Sequence, residues 1–460
     1  MTDRRNFLKF ISSLPLVKSV LLGAASADVG SAVQIEKGWQ NWSGSLGRSA
    51  SPVHVPKTLG ALQEIIKASI VRPVGAGHSW TPLVPGADAI LKLDHFSGVR
   101  EVDQQAQTAW MGAGTRLVEL SRALEAQNLG FRNLGDINVQ TLAGAISTAT
   151  HGTGKTLTCL AGEVCAVRMV TGDGDFLEVS EQENKNLLPA VQVGLGTLGV
   201  LTEIKMQLMP RHKLHRRVWF MPHEQVLTQA ETQWKENRNF EFFYIPFSGM
   251  SMCITHNLTE ADTTMPVAEE PEDAVMQLKA LRDYVSWFPA LRKKLLQLAI
   301  KAAPEEELVG NSWEILSSVR DTKFNEMEYH LPPARALDAL EAVRVYVERY
   351  RPDVFFPFEV RRTAADSAWL SPFNDGERIS VAVHCHAPDD YAFLFTEIEP
   401  ILRQFGGRPH WGKLNSLQAR DFAELYPQWE AFGDLRRRLD PRGHLLNAYL
   451  SNLFENYARV

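Results

Sequence analysis

Four runs of small residues interrupt the first half of this chain: GAGHS at 75–79, GAGT at 112–115, AGAISTATHGTG at 143–154 and GLGTLG at 194–199. Such a run weakens any helix or strand that contains it, and it lets backbone come within contact distance of whatever lies opposite. Backbone N–H groups gathered at turns and helix starts suit a large anion. Together the runs predict a dinucleotide held mainly by backbone. The first run also carries His78 at the tip of a glycine-framed turn in VRPVGAGHSW, where an imidazole would face that ligand. A surface hairpin is the plainer reading of the same turn.

Two better-known phosphate motifs fit less well. VGAGHSW lacks the third glycine of the dinucleotide fingerprint. ATHGTGKT ends like a phosphate-binding loop at Gly154-Lys155-Thr156, but Ala149 stands where the first glycine belongs and GAISTAT before it is a poor buried strand. A nucleoside-triphosphatase is therefore an alternative of low standing. A formal net charge of −6 provides no overall field to draw in nucleic acid or an anionic membrane, and basic clusters such as Arg436-Arg437-Arg438 read as solvated helix faces. The 4 cysteines, Cys159, Cys165, Cys253 and Cys385, have neither zinc-site spacing nor the density of a disulfide scaffold, which leaves one disulfide open and predicts no structural metal.

The first 27 residues read as an address. MTDRRNFLKFISSLPLVKSVLLGAASA has a basic start, an apolar stretch broken by Ser, Pro and Lys18, and an Ala25-Ser26-Ala27 ending. It is too interrupted to span a membrane stably. DRRNFLK resembles the bacterial twin-arginine export signal, which implies a chain exported already folded, periplasmic or membrane-associated, with its mature part starting near Asp28. An amphipathic helix or a tail is the alternative.

Beyond Trp39 the pattern is mixed α and β. KTLGALQEIIKASI places Leu59, Leu62, Ile65, Ile66 and Ile70 at helical spacing behind a capping Thr58, and TRLVELSRALEAQNLG repeats the scheme with Gly130 as the stop. AILKLD and TAWMGAG read as strands, and VCAVRMVTGDGDFLEVS as a hairpin about a Gly-Asp-Gly turn. Past about Pro210 the texture changes to aromatic-rich sequence, with an acidic stretch from Thr259 to Asp273 and a basic amphipathic run, ALRKKLLQLAI. A chain of 460 residues divides into two or three domains, with the main cut near 210.

RPVGAGHSW, MGAGTRL, NLGDINVQTLAGAISTATHGTG, GLGTLGVLTEIKMQL, PHWGKLNS and LDPRGHLLNAYLSNLF together resemble the aldonolactone oxidoreductases of the vanillyl-alcohol-oxidase flavoprotein superfamily, in family order from about Trp42 to Phe454. That resemblance implies an α+β fold: a PCMH-type FAD-binding domain of two subdomains over 46–212, a cap domain with a large antiparallel sheet and flanking helices over 213–405, and a segment, 406–460, that returns to the flavin. It implies FAD contacts from Gly75, Ala76, Gly77, His78 and Ser79, from Thr141, Gly144, Ser147, Thr148, His151, Gly152 and Thr153, and from Gly199 and Val200. His78 sits where many members attach FAD covalently through a histidine, and flanking glycines and a nucleophilic imidazole are consistent with that.

In VFFPFEVRRTAA, Glu359 and Arg361 are two apart, so on a strand both face one side while Phe358 and Val360 face the other. The residues alone leave a surface ion pair and a substrate clamp equally open; the resemblance favours the clamp, and the HWGK motif adds His410 and Lys413. The implied reaction is hydride transfer from a carbinol carbon of a sugar 1,4-lactone to flavin N5, with Arg361 and Lys413 stabilising developing negative charge, Glu359 orienting Arg361, and His410 either accepting a proton or holding the loop. An alditol oxidase is the nearest alternative and a non-catalytic exported sugar-binding protein a more distant one. The electron acceptor is oxygen or a cytochrome or quinone. His384 and His386 share one side of VAVHCHAPDD; lacking a third ligand in the sequence, they read as cap residues near the pocket rather than a metal pair.

Overall fold

A computed structural model describes residues 33–264, 274–285, 287–317 and 322–455. The leader-like residues 1–27 and the 265–273 part of the acidic stretch lie outside them. The first half of the chain builds two sheets. One has four strands in the order Val33–Gln40, Arg48–Pro56, Ala89–Lys92, Val71–Val74, with the last three parallel to one another. The other has five antiparallel strands in the order Val99–Asp103, Thr108–Gly112, Val200–Gln207, Val164–Val170, Phe176–Val179. The second half supplies an eight-stranded antiparallel sheet that starts at Lys213, just after the five-stranded sheet has taken its last strand.

Local sequence explains most of these elements. The helix Leu59–Ala68 begins where Thr58 accepts a hydrogen bond from the Ala61 N–H, and it buries Leu62 and Ile66. The hairpin at 164–179 pairs Val170 with Phe176 and Val167 with Val179. The second amphipathic helix departs from expectation at both ends. It spans Leu117–Glu125, and Thr115 spends its hydroxyl on the Gly112 carbonyl and the Gly98 N–H rather than on a cap. It ends before Gly130, because Asn128 takes the left-handed conformation (φ 58°) and Leu129–Gly130 pair with Met209–Pro210. All four cysteines are free, which settles the open disulfide.

The strand order of the large sheet is Glu306–Asn311, Lys213–Pro222, Met250–Thr259, Asn239–Ile245, Phe358–Thr363, Arg378–His386, Phe324–Leu331, Arg408–Pro409. Its apolar face is covered by the helices His223–Glu236 and Pro333–Tyr350, which bury Val226, Ala230, Trp234, Leu340, Val343 and Val347. Because side chains alternate along a strand, the opposite face collects the other half of each strand. The C-terminal residues then run back onto the first half: the Val71 N–H donates to the His444 carbonyl at 2.8 Å, and Asn447 Nδ2 donates to the Pro82 and Pro85 carbonyls, each at 2.8 Å. Buried Arg72 fastens this junction through the carbonyls of Leu83, Leu195, Gly196 and Leu445, and burial pulls its guanidinium down to about 9.

Candidate functional site

Two cavities meet at one loop. The first, with about 950 Å³ not filled by protein, is a cleft in the first half lined by 72–79, Ala113-Gly114, 140–148 and 195–201 segments, so all four small-residue runs border it. The second, with about 1810 Å³, lies under the polar face of the eight-stranded sheet. His78, Ser79, Gln140 and Thr148 line both.

The smallness of the runs serves partly the protein's own packing. A Cβ on Gly112 would stand 2.4 Å from the Phe96 carbonyl oxygen, one on Gly114 2.0 Å from that of Leu93, and one on Gly75 2.2 Å from Thr141 Oγ1. Small residues make up most of what these runs present to the cleft. Gly75, Ala76, Gly77, His78, Ser79, Thr141, Gly144, Ser147, Thr148 and Gly199 all line it. His151, Gly152, Thr153 and Val200 do not. Val200 is a buried sheet residue opposite Val170. Gly152 packs on the Leu134 carbonyl, and Thr153 donates to the Phe240 carbonyl at 2.6 Å, joining the first half to the large sheet. His151 points into the second cavity, its Nε2 3.0 Å from Glu328 Oε1.

His78 stacks on Trp42 with ring centroids 5.2 Å apart, and its buried Nδ1 has no hydrogen-bond partner. Burial, reinforced by the charges of Lys413 and Arg116 and opposed by an interaction with the Ala76 backbone, lowers its pKa to about 4, so the ring is neutral near pH 7. The same loop is sewn to the HWGK segment. Trp80 N–H donates to the Gly412 carbonyl at 2.8 Å, Thr81 Oγ1 to the Trp411 carbonyl at 2.6 Å, and Lys413 Nζ lies 4.6 Å from the centroid of the Trp80 ring. His78 and Lys413, far apart in the sequence, thus line the same cavity.

The polar face of the sheet provides the rest. Glu359 and Arg361 project together from Phe358–Thr363 while Phe358 and Val360 are buried on the other side, as the spacing predicts. Arg361 Nε is 3.1 Å from Glu359 Oε1, its Nη2 donates to Glu328 Oε1 at 2.9 Å, and Asp136 Oδ1 is 3.5 Å from Nη1. Lys413 is ion-paired with Glu326, which stands across the strand pair from His384 with 3.6 Å between Oε1 and Nε2. Burial alone would raise the Glu328 carboxyl, but Arg361 and His151 outweigh it and hold it well below the carboxylate range. Glu359 goes the opposite way: burial, with Asp136 and Glu241 close by, pushes it well up despite Arg361. The two carboxyl groups on one guanidinium are therefore shifted in opposite directions.

His410 is fully enclosed. Its Nδ1 accepts the Gly412 N–H at 2.9 Å, and burial lowers its pKa well below that of a free histidine. In the neutral ring the proton is then on Nε2, so that nitrogen is a donor. This geometry suits loop-holding and hydrogen-bond donation better than proton acceptance. His384 lines the cavity, whereas His386 lies by Asp389 at 3.6 Å, outside it. Three sets of possible ligand atoms fall within 4.8 Å of one another, His151–Glu328–His410, Glu326–Glu359–His384 and Asp136–Glu241–Glu359, but Arg361 and Lys413 already sit among these carboxylates as counter-charges.

Four acidic residues of the cavity, Asp136, Glu241, Glu326 and Glu328, were not among the residues the sequence singled out. FNEMEYHL held the signal for two of them, since its period of two places Glu326, Glu328 and His330 on one face and Met327, Tyr329 and Leu331 on the other.

Residues 204–453 match the D-arabinono-1,4-lactone oxidase family and residues 50–180 match an FAD-binding domain. The chain is 31% identical to an L-gulono-1,4-lactone dehydrogenase of Mycobacterium tuberculosis, over 89% of this chain and 97% of that one. It is 30% identical to an alditol oxidase of a Streptomyces species, over 90% and 98% respectively, and 26% identical to the L-gulonolactone oxidase of Mus musculus over the same shares. Cholesterol oxidase from Brevibacterium sterolicum superposes with a TM-score of 0.76 at 17% identity, covering 95% of this chain and 100% of that one, which is a likeness of fold.

Proposed function

The chain belongs to the D-arabinono-1,4-lactone oxidase family, and from that premise we propose that it is an FAD-dependent oxidoreductase acting on a carbinol carbon of a neutral sugar 1,4-lactone or a related polyol. The observation that carries the reading is the meeting of the two cavities at His78, with Arg361 and Lys413 lining the second. The fit to FAD rests on the chain itself: a cleft bordered by backbone of four small-residue runs, and an orphaned, neutral His78 Nδ1 at its inner end. Bound there, FAD supplies a two-electron acceptor for the substrate carbon.

The residues divide the remaining work. Glu326, Glu328, Glu359 and Asp136 offer acceptors to substrate hydroxyls, which neutral polyhydroxyl compounds present in number. Arg361, fixed by its acidic partners, and Lys413, fixed by Glu326 and Trp80, place two preorganised cations where an alkoxide develops as the hydroxyl proton departs. Of the two carboxyls beside Arg361, Glu359, whose pKa is raised, is the stronger base, and Glu328, whose pKa is lowered, the steadier counter-charge for the guanidinium. A neutral His78 imidazole at the cleft supports the reading that FAD would be attached covalently through this residue, since the neutral ring is the nucleophilic form. An electron acceptor, oxygen or a cytochrome or quinone, would take up the two electrons removed from the substrate and complete the cycle, and the twin-arginine-like leader supports export of the folded protein to the periplasm or a membrane.

Anaerobic mixing of the FAD-loaded protein with gulono-, galactono- and arabinono-1,4-lactones and with open-chain alditols tests this reading. At least one member of the panel bleaches the visible flavin bands. A yellow protein that no lactone or alditol bleaches contradicts it.

A further inference from the structure

The basic amphipathic run singled out in the sequence has no part in either cavity. It forms the helix Pro289–Ala302, which follows the helix Ala274–Val285. Of the 14 large apolar side chains exposed among the described residues, 7 fall on these two helices and the link between them: Met276, Tyr284, Trp287, Phe288, Leu291, Leu295 and Leu298. Exposure is far from marginal, at 78% for Tyr284, 75% for Trp287 and 68% for Leu298. Singly scattered surface apolars need no explanation, but a contiguous set of this kind does.

The pattern is orderly. Arg292, Leu296 and Ile300 face inward at helical spacing, and Arg292 moors the helix by donating to the Pro352 and Val354 carbonyls at 2.6 and 2.8 Å. Leu291, Leu295 and Leu298 make an outward stripe at i, i+4, i+7, with Trp287 and Phe288 at its head in edge contact, centroids 4.4 Å apart. A helix moored by its inner face keeps that stripe outside. Charge then selects the partner. From Tyr284 to Ala303 the sequence has Arg292, Lys293, Lys294 and Lys301 and neither Asp nor Glu, in a chain of net charge −6. The three lysines are solvent-exposed and form no ion pair among the described residues.

We propose that this helix pair is a monotopic membrane-docking surface for anionic phospholipid bilayers, with Trp287, Phe288, Leu291, Leu295 and Leu298 entering the interface and Lys293, Lys294 and Lys301 meeting the headgroups. Aromatic and leucine side chains beside lysines are what an interfacial helix requires. No described helix is long and apolar enough to cross a membrane, so attachment of this part is peripheral. Val275, at the other end of the pair, lines the second cavity, about 18 Å away along a 12-residue helix. The proposal stands apart from the reaction assigned above, and either can fail alone.

Co-flotation of the full FAD-loaded chain with vesicles of phosphatidylcholine alone, or of phosphatidylcholine with phosphatidylglycerol, tests it. The protein is expected to float with the anionic vesicles, and its partition to fall about tenfold or more in Trp287→Ser/Leu298→Glu and, separately, in Lys293→Glu/Lys294→Glu and at high salt. Both double variants keep the flavin spectrum and the turnover of soluble substrate, which shows that they fold. Equal flotation of the variants and the parent, or no anionic-lipid preference, overturns the proposal. So does a parent dimer that Leu298→Glu dissociates while vesicles fail to bind, which would make a second copy the occupant of this face.

Discussion

Arg361 Nη2 lies 2.9 Å from Glu328 Oε1, with both side chains withdrawn from solvent. The contact reaches over the intervening strand Arg378–His386 on the polar face of the large sheet, and Asp136 and Glu359 complete a ring of acceptors around one guanidinium. Removing the cation leaves buried carboxylates unpaired, which costs about 3–5 kcal/mol. Arg361→Met is therefore expected to lower unfolding stability by about that amount and kcat/KM by about 10²–10³. Arg361→Lys recovers charge but not the fork of donors, and falls between. Denaturant titration and steady-state kinetics measure the two effects.

Acidic groups outnumber cations in the cavity. Asp136, Glu241, Glu314, Glu326, Glu328 and Glu359 line it against Arg216, Arg361 and Lys413. A ring-opened aldonate brings a further carboxylate into this field, and like-charge contact costs several kcal/mol. Neutral lactone is expected to be preferred over the corresponding aldonate by about 10² or more in kcat/KM. Glu241→Gln should narrow the ratio. Competition between the two forms as substrate and inhibitor measures it.

His256, on the same face, has its pKa pushed down to about 3 by burial and then by the charge of Arg216. The unfolded chain takes up that proton near pH 6.5, the folded one near 3. Stability from this group is present above pH 6.5 and is lost as pH falls through the window between 6.5 and 3. Glu341, lowered to about 2, acts in the same direction from about pH 4.5 downward. Thermal unfolding followed from pH 7.5 to 4.5 is expected to show a falling Tm, and His256→Gln to flatten the upper part of that fall.

The extent to which this site was legible in the sequence follows from the kind of information each residue carries. Glu359 and Arg361 could be paired because a period of two is a local property of a strand. Lys413 and His78 could be joined only through motif resemblance, since their meeting depends on Trp80 and Thr81 bonding to the 411–412 backbone across the whole chain. His151, Gly152 and Thr153 belong by sequence to the same small run as Ser147 and Thr148. The helix Leu142–Ser147 ends there, however, and the chain turns through Ala149 at φ 59° toward the large sheet. The acidic ring is not legible in the sequence because Asp136, Glu241 and Glu328 come from three separate segments that only the fold brings around Arg361.

Attachment at His78 makes a sharp chemical prediction. The colour of the FAD-loaded protein is expected to stay with the pellet after acid precipitation. In His78→Ala it moves to the supernatant, while the native variant still binds FAD through the cleft backbone. Absorbance of pellet and supernatant checks this.

The proposed function divides the work between a cleft for FAD and the cation pair Arg361 and Lys413 for substrate. The most direct measurement is stopped-flow flavin bleaching by the best lactone or alditol in the parent and in Arg361→Met, with FAD content determined on the same samples. The proposed function predicts full FAD occupancy in both and bleaching about 10²–10³ slower in the variant. Bleaching at the parental rate, or loss of FAD together with Arg361, would contradict it.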